Sequence, residues 1–258
     1  MIELNKIYNV DCLEGMKLID DKSIDMILCD LPYGTTKCKW DVIIPFKPLW
    51  EQYERIIKDT GAIVLTSNEP FTSQLISSNL ELYKYKWIWK KTKQIGFMNA
   101  NYRPLKIFEE VCVFSKSPAV FIKNKNSMKY NPQGIMLSTK KIKRKNSQKY
   151  VISTGGNMES EYKQKYTNYP VDIIEFANTS KNNIHPTQKP VDLCEYLIKT
   201  YTNENELVLD NCAGSFTTAI ACDNTNRNWI CMEKEKEYCD LGLERINNNR
   251  KLLNIPLI

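Results

Sequence analysis

The 258-residue sequence predicts an α/β fold: a doubly wound, mostly parallel sheet flanked by helices and carrying an inserted region. Three observations predict it. Short apolar runs recur along the chain, separated for the most part by amphipathic stretches of helical length. Several runs end in an acid followed by a turn, the arrangement found at the carboxyl ends of parallel strands. The alternation lapses after about Pro118 and resumes near Ile184, which marks residues 119–182 as an insertion in a main domain made of 1–118 and 183–258.

In order, Ile7–Val10 reads as a strand and Leu13–Ile19 as a helix. Asp11 lies at their junction, where it serves equally as an N-cap, stabilising the helix by about 1 kcal/mol, or as a residue reaching a ligand above the sheet. Ile24–Cys29 offers few solvent-facing positions and reads as a buried parallel strand, ending in Asp30-Leu31-Pro32-Tyr33-Gly34. Thr35–Ile44 is a polar loop with the position of a lid. Pro45–Lys58 carries Leu49, Tyr53, Ile56 and Ile57 on one helical face. Strands follow at Ala62–Leu65, Tyr85–Trp89 and Val111–Phe114, with a helix at Glu69–Ser78. Trp87 and Trp89 read as strand packing; Asn99, Asn101, Tyr102 and Arg103 lie in a polar loop. Beyond the insertion come a helix at Val191–Thr200, a strand at Leu207–Leu209, a helix at Gly214–Cys222, a strand at Trp229–Met232 and a helix at Lys236–Leu252.

Composition narrows the function. Hydrophobic residues at 42% and charged residues at 26% are ordinary globular values. No apolar run approaches the roughly 20 residues that span a bilayer, and the first residues lack a signal peptide's apolar region, so a cytoplasmic protein without membrane contact is expected. Nine scattered cysteines with no CxxC pair read as buried free thiols, and the single histidine, His185, reads as a turn residue; no metal site is expected. Net charge is +6, but Val120–Pro170 holds eleven basic residues against two acids, a local charge of +9 that leaves −3 elsewhere. Such a segment suits a polyanion, or is a solvated charged loop.

Two stretches join Asp30–Tyr33 as carriers of chemistry. Leu209-Asp210-Asn211-Cys212-Ala213-Gly214-Ser215-Phe216-Thr217-Thr218 is a strand end, a small-residue turn and a helix start; Glu233, one strand later, has the position of an acid that accepts from ribose hydroxyls, or of a helix N-terminal acid. Together they describe a nucleoside with hydroxyls and an amine to hold.

Asp30-Leu31-Pro32-Tyr33 resembles the Asp-Pro-Pro-Tyr motif of amino-group DNA methyltransferases, and Leu209–Thr218 resembles that family's Asp-x-Phe-x-Gly-Ser-Gly-Thr-Thr cofactor loop. His185-Pro186-Thr187-Gln188-Lys189-Pro190 is similar to the segment preceding that loop in the β arrangement, with the catalytic motif first, the target-recognition region in the middle and the cofactor region last. The resemblance implies a Rossmann-like, class I methyltransferase fold, S-adenosylmethionine as cofactor, and double-stranded DNA as substrate, with the target base flipped out. It implies that the Asp30 carboxylate and Leu31 carbonyl accept the amino hydrogens of the base, that Pro32 stiffens the turn and that Tyr33 stacks on the base. Asp210, Cys212, Ala213, Gly214, Ser215, Thr217 and Thr218 are then expected around the methionine portion, Glu233 at the ribose and Asp11 at the adenine amine. Lys39, Arg103, Lys140, Lys141, Lys143, Arg144 and Lys145 are the expected DNA contacts, and a homodimer and a cognate restriction endonuclease the expected partners. An acid at position 30 points to adenine; cytosine, and a catalytically silent DNA-binding homologue, are the alternatives. Leu31 and Cys212 depart from the family pattern, as does Phe216, which stands where the family has a second glycine and is expected either to crowd the methionine moiety or to demand an unfavourable backbone angle, with weak cofactor affinity as the consequence.

Overall fold

The computed structural model describes residues 2–36, 38, 41–123, 125–138, 141–143, 161–178 and 188–258. The elements follow in chain order. Strand β1 (Lys6–Asn9), helix α1 (Cys12–Met16), β2 (Ile24–Cys29), α2 (Phe46–Ile56), β3 (Ile57–Ser67), α3 (Phe71–Ser78), β4 (Tyr83–Ile95) and β5 (Lys106–Phe114) form the first part. Short strands β6 (Met136–Leu137), β7 (Lys141–Lys143), β8 (Glu161–Lys163) and β9 (Tyr166–Thr167) come next. The chain finishes with β10 (Ile173–Phe176), α4 (Val191–Tyr201), β11 (Leu207–Asp210), α5 (Thr217–Asn224), β12 (Asn228–Glu233) and α6 (Lys236–Leu253).

Two compact units result. Residues Met1–Asn131 and Asp172–Ile258 make the larger one, around an eight-stranded sheet in the order β1-β12-β11-β2-β3-β5-β4-β10. Only β5 runs against its neighbours. All six residues of β2 are buried, because the strand lies between β11 and β3 with helices over both faces. One face packs Met16, Leu49, Tyr53 and Phe71 from α1, α2 and α3 against Ile27 and Leu65; the other packs Leu197, Ile220 and Ile246 from α4, α5 and α6 against Leu28 and Val208. A sheet covered on both sides is what the near-continuous apolar runs require.

The smaller unit is Pro132–Val171, in which β6 pairs with β9 and β7 with β8, both antiparallel. It is narrower than residues 119–182. Met128 is buried and the Lys129 N–H bonds the Thr60 carbonyl, so the chain before Pro132 packs on the larger unit. After it, β10 pairs in parallel with β4, Ile174 opposite Trp89.

The largest difference from expectation is the β4–β5 ribbon. Expected as two short strands separated by a polar stretch, it is an antiparallel hairpin from Tyr83 to Phe114, with register shifts between Tyr83 and Tyr85 and between Lys90 and Ile95, that turns through a 3-10 segment at Phe97–Asn99. Residues of β4 beyond Lys91 are exposed, so no inward-facing side forces the alternation by which strands are recognised. Among the described residues no helix is long and apolar enough to cross a membrane.

Candidate active site

Sheet order brings the two sequence motifs together. β2 and β11 are adjacent parallel strands, with Val208 opposite Met26 and Leu209 opposite Ile27, so Asp30 and Asp210 emerge side by side at one carboxyl edge. They open into a cavity of about 700 Å³ in the larger unit. Asp11, Asp30, Leu31, Pro32, Tyr33, Asp210, Cys212, Ala213, Gly214, Ser215, Thr217, Thr218 and Glu233 all line it.

Asp30 is tightly held. Its Oδ1 accepts the Tyr33 hydroxyl at 2.6 Å and the Thr66 hydroxyl, and its Oδ2 accepts the Lys189 ammonium at 2.5 Å. Behind Lys189, Glu109 lies 3.6 Å away and is itself paired with Lys91. Burial works against the charge of Lys189, but the carboxylates of Asp30 and Glu109 outweigh it and hold the ammonium above its ordinary value. The Tyr33 ring stacks on Phe71 with centroids 5.0 Å apart, and burial drives its hydroxyl well above the usual phenol range. The chain after Tyr33 is knotted by Asp41, whose carboxylate accepts the N–H groups of Gly34, Thr35 and Thr36 at 2.8, 2.9 and 2.6 Å. Loop residues Thr35, Thr36 and Asp41 to Pro45 also line the cavity.

The other half of the cavity is carboxylate-rich. Asp11 follows β1 and caps α1 through the Leu13 N–H at 3.0 Å. Asp210 ends β11; Oδ2 accepts from the Thr218 hydroxyl at 2.6 Å and Oδ1 from the Cys212 N–H at 3.2 Å. Burial pushes its carboxyl up to about 6, with Thr218, Cys212 and Cys29 opposing that shift and Asp30 adding to it. Glu233 ends β12 and accepts the Gly214 N–H at 2.8 Å and the Glu235 N–H at 2.9 Å, which orients the carboxylate and leaves each oxygen a second lone pair. Arg245 on α6 braces the loop, donating to the Ser215 carbonyl and the Thr217 hydroxyl. Three carboxylates on three strand ends suit the hydroxyls and amine of a nucleoside and a positively charged sulfonium, and repel phosphate, so this donor and acceptor set fits S-adenosylmethionine.

Phe216 does not crowd the cavity. It adopts the left-handed conformation (φ 58°, ψ 30°) that a glycine would take without strain, and its side chain is fully buried on the α6 side. Gly242 makes the room, since a Cβ there would run into the Phe216 ring. The motif thus keeps its backbone turn and stores the extra ring in the core.

Of the expected DNA contacts, Arg103 is exposed at the tip of the β4–β5 hairpin, and Lys141 and Lys143 belong to β7. Lys39, Lys140, Arg144 and Lys145 lie outside the described residues, as does His185. Sequence reasoning missed Thr66, Lys91, Glu109 and Lys189. Two signals were available, the charge of Glu109 and Glu110 directly before the apolar Val111–Phe114 and the place of Lys189 in the His185–Pro190 segment. Among the described residues no group of His, Cys, Asp and Glu is arranged to hold a metal.

An acid-Pro-Tyr turn facing an acid-lined nucleoside cleft across the middle of a doubly wound sheet defines the class of S-adenosylmethionine-dependent DNA amino-group methyltransferases. The chain belongs to the DNA methylase family, which matches residues 24–244. It is 27% identical to the type II methyltransferase M1.MboII of Moraxella bovis over 98% of both chains. It is 26% identical to the DNA adenine methyltransferase YhdJ of Escherichia coli (strain K12), over 95% of this chain and 83% of that one. Among solved structures, the M1.HpyAVI–SAM complex matches the fold with a TM-score of 0.61 at 24% identity, over 94% of this chain and 98% of that one.

Proposed function

We propose that the protein transfers a methyl group to the exocyclic amino nitrogen of adenine in duplex DNA, with the target base flipped into the Asp30 side of the cavity. The observation that carries this reading is the adjacency of β2 and β11, which sets an acid-Pro-Tyr turn and an acid-lined cleft around one space. S-adenosylmethionine, when bound, supplies an electrophilic methyl on its sulfonium.

The protein's part is to raise the reactivity of the amino nitrogen and align it. An exocyclic amine has its lone pair delocalised into the ring; acceptors for both hydrogens, the Asp30 carboxylate and the Leu31 carbonyl, draw density back to nitrogen and stabilise the positive charge it gains, until the nitrogen gives up one N–H proton, by way of the Asp30 carboxylate or to water, and becomes the neutral methylated amine. Pro32 fixes the turn that sets these two acceptors. Asp11, Asp210 and Glu233, with the backbone of Ala213, Gly214 and Ser215, hold the cofactor side. An acid at position 30 favours adenine, as does the likeness to an adenine methyltransferase.

DNA contact is assigned to Pro132–Val171 with its lysines and to the hairpin tip, where Phe97, Met98 and Tyr102 are exposed beside Arg103. A second copy and a cognate endonuclease as partners, and a cytoplasmic site of action, complete the reading; the family resemblance supports them.

The test is transfer of labelled methyl from S-adenosylmethionine to DNA, with the product nucleoside identified by mass spectrometry. N6-methyladenine is expected, with Asp30→Ala lowering kcat by about a thousandfold or more. Wild-type activity in that variant removes Asp30 from the reaction, and N4-methylcytosine transfers the assignment to cytosine.

A further inference from the structure

Asp30 holds three donors, Tyr33 and Thr66 on Oδ1 and Lys189 on Oδ2. The proposed reaction, on which this inference rests, brings the amino group of the base to Oδ2, the oxygen that has a lone pair to spare and a cation already on it. Tyr33 and Thr66 are attached to the turn and to β3, and their hydroxyls have no carboxylate other than Asp30 among their hydrogen-bond partners. Lys189 differs. Its Nζ lies 3.6 Å from Oε2 of Glu109, a buried carboxylate oxygen with no hydrogen-bond partner among the described residues. The other oxygen of Glu109 is taken by Lys91. A buried charged acceptor without a donor is costly, and native structures rarely keep one without a use for it. A shift of Nζ by less than about 1 Å brings it to ordinary hydrogen-bonding distance.

We propose that Lys189 has two berths, Oδ2 of Asp30 when the cavity holds no base and Oε2 of Glu109 when the amino group of the target base takes its place. Glu109 is then a positioning residue for methyl transfer, acting through Lys189. In the first state the ion pair keeps the Asp30 carboxylate oriented. In the second, an N–H of the base replaces the ammonium as the near donor to Oδ2, and the ammonium, drawn towards Glu109, shares less of the negative charge of Asp30 as the nitrogen becomes positive. Lys91 stays on Oε1 throughout, so Glu109 accepts Lys189 without releasing its own partner. The exchange also discriminates between bases: a ring with a carbonyl at this position offers no hydrogen to Oδ2 and leaves Lys189 where it is.

Static and exchanging arrangements predict opposite signs in a double-mutant experiment. Methyl transfer to DNA is measured for wild type, Glu109→Gln, Lys189→Met and the double variant. Exchange predicts that Glu109→Gln, which holds Lys189 on Asp30, lowers kcat by roughly tenfold or more with the cofactor KM unchanged, and that adding Lys189→Met restores about threefold or more of the loss. A double variant no faster than Glu109→Gln, or a Glu109→Gln variant with wild-type kcat, overturns it. A binding readout without cofactor runs in parallel, using duplexes with adenine or purine at the target position. Wild type is expected to prefer adenine, and that preference to vanish in Glu109→Gln and return in the double variant; no preference in wild type, or a preference unchanged in Glu109→Gln, counts against exchange. If Glu109→Gln does not fold, a structure of the wild-type complex with its duplex decides, since Lys189 still on Asp30 with the base engaged overturns the proposal. Wild type that methylates no adenine overturns the functional reading instead, which separates the two failures.

Discussion

Asp210 shows what enclosure does to one carboxyl group. Burial raises it to about 6, above the ~3.9 of an unfolded chain, so the folded state holds the proton more tightly. Its contribution to stability is therefore complete below about pH 4 and is lost as pH climbs through about 6, an amount of roughly 3 kcal/mol. Asp210→Asn has no proton to lose. The stability of wild type relative to that variant is expected to fall by this amount between about pH 4 and about pH 6.5 in urea titrations; a flat difference would mean that the carboxyl is not enclosed. At this scale the acids were legible in the sequence, because each follows an apolar run and so marks a strand end. The roles of Lys189 and Glu109 were not: Lys189 was visible only as a member of the His185–Pro190 segment, and its ion pair to Asp30 spans 159 positions, which no local pattern reports. Phe216 was visible as a departure, but only packing against Gly242 tells where its ring goes.

Among the elements, α5 and α6 depend on one another through that pair. Phe216 holds a left-handed backbone at the start of α5 at a cost of about 1–2 kcal/mol, offset by full burial of its ring against α6. Gly242→Ala places a methyl inside the ring and is expected to destabilise the protein by about 1–3 kcal/mol. Adding Phe216→Gly to Gly242→Ala should cost less than Phe216→Gly costs in wild type, and additive effects in thermal unfolding would show that the two positions do not meet. Element positions were read well in β2, β11 and β12, whose faces are covered; β3 was expected at Ala62–Leu65 but runs from Ile57 to Ser67 and takes the last two residues expected of the helix before it. The β4–β5 hairpin was read as fragments because its outer half leaves the core, and with it the inside-outside alternation that betrays a strand. The start of α5 was expected at Gly214 but falls at Thr217, since residues 214–216 are spent on the turn that faces the cavity.

For the whole molecule, the uneven charge is the feature with consequences in solution. Reversing Lys140, Lys141, Lys143 and Lys145 is expected to raise the DNA dissociation constant and flatten its dependence on salt by about 0.9 in log–log slope for each phosphate that is no longer neutralised. An unchanged slope would place these lysines away from DNA. The basic segment and the sheet class were both legible in the chain, the former from counting and the latter from periodicity; strand order was not, because it depends on pairing between distant segments. That order also sets a sequence of events in time. Among the described residues, Lys6–Asn9 form an outer strand whose neighbour in the sheet is Asn228–Glu233. A ribosome delivers the first strand more than two hundred residues before its partner, so Asp11 emerges early beside an unpaired edge and waits until Asp210 and Glu233, the rest of the cofactor side, are made. Completion of the cavity and closure of the sheet are thus the same late step of synthesis.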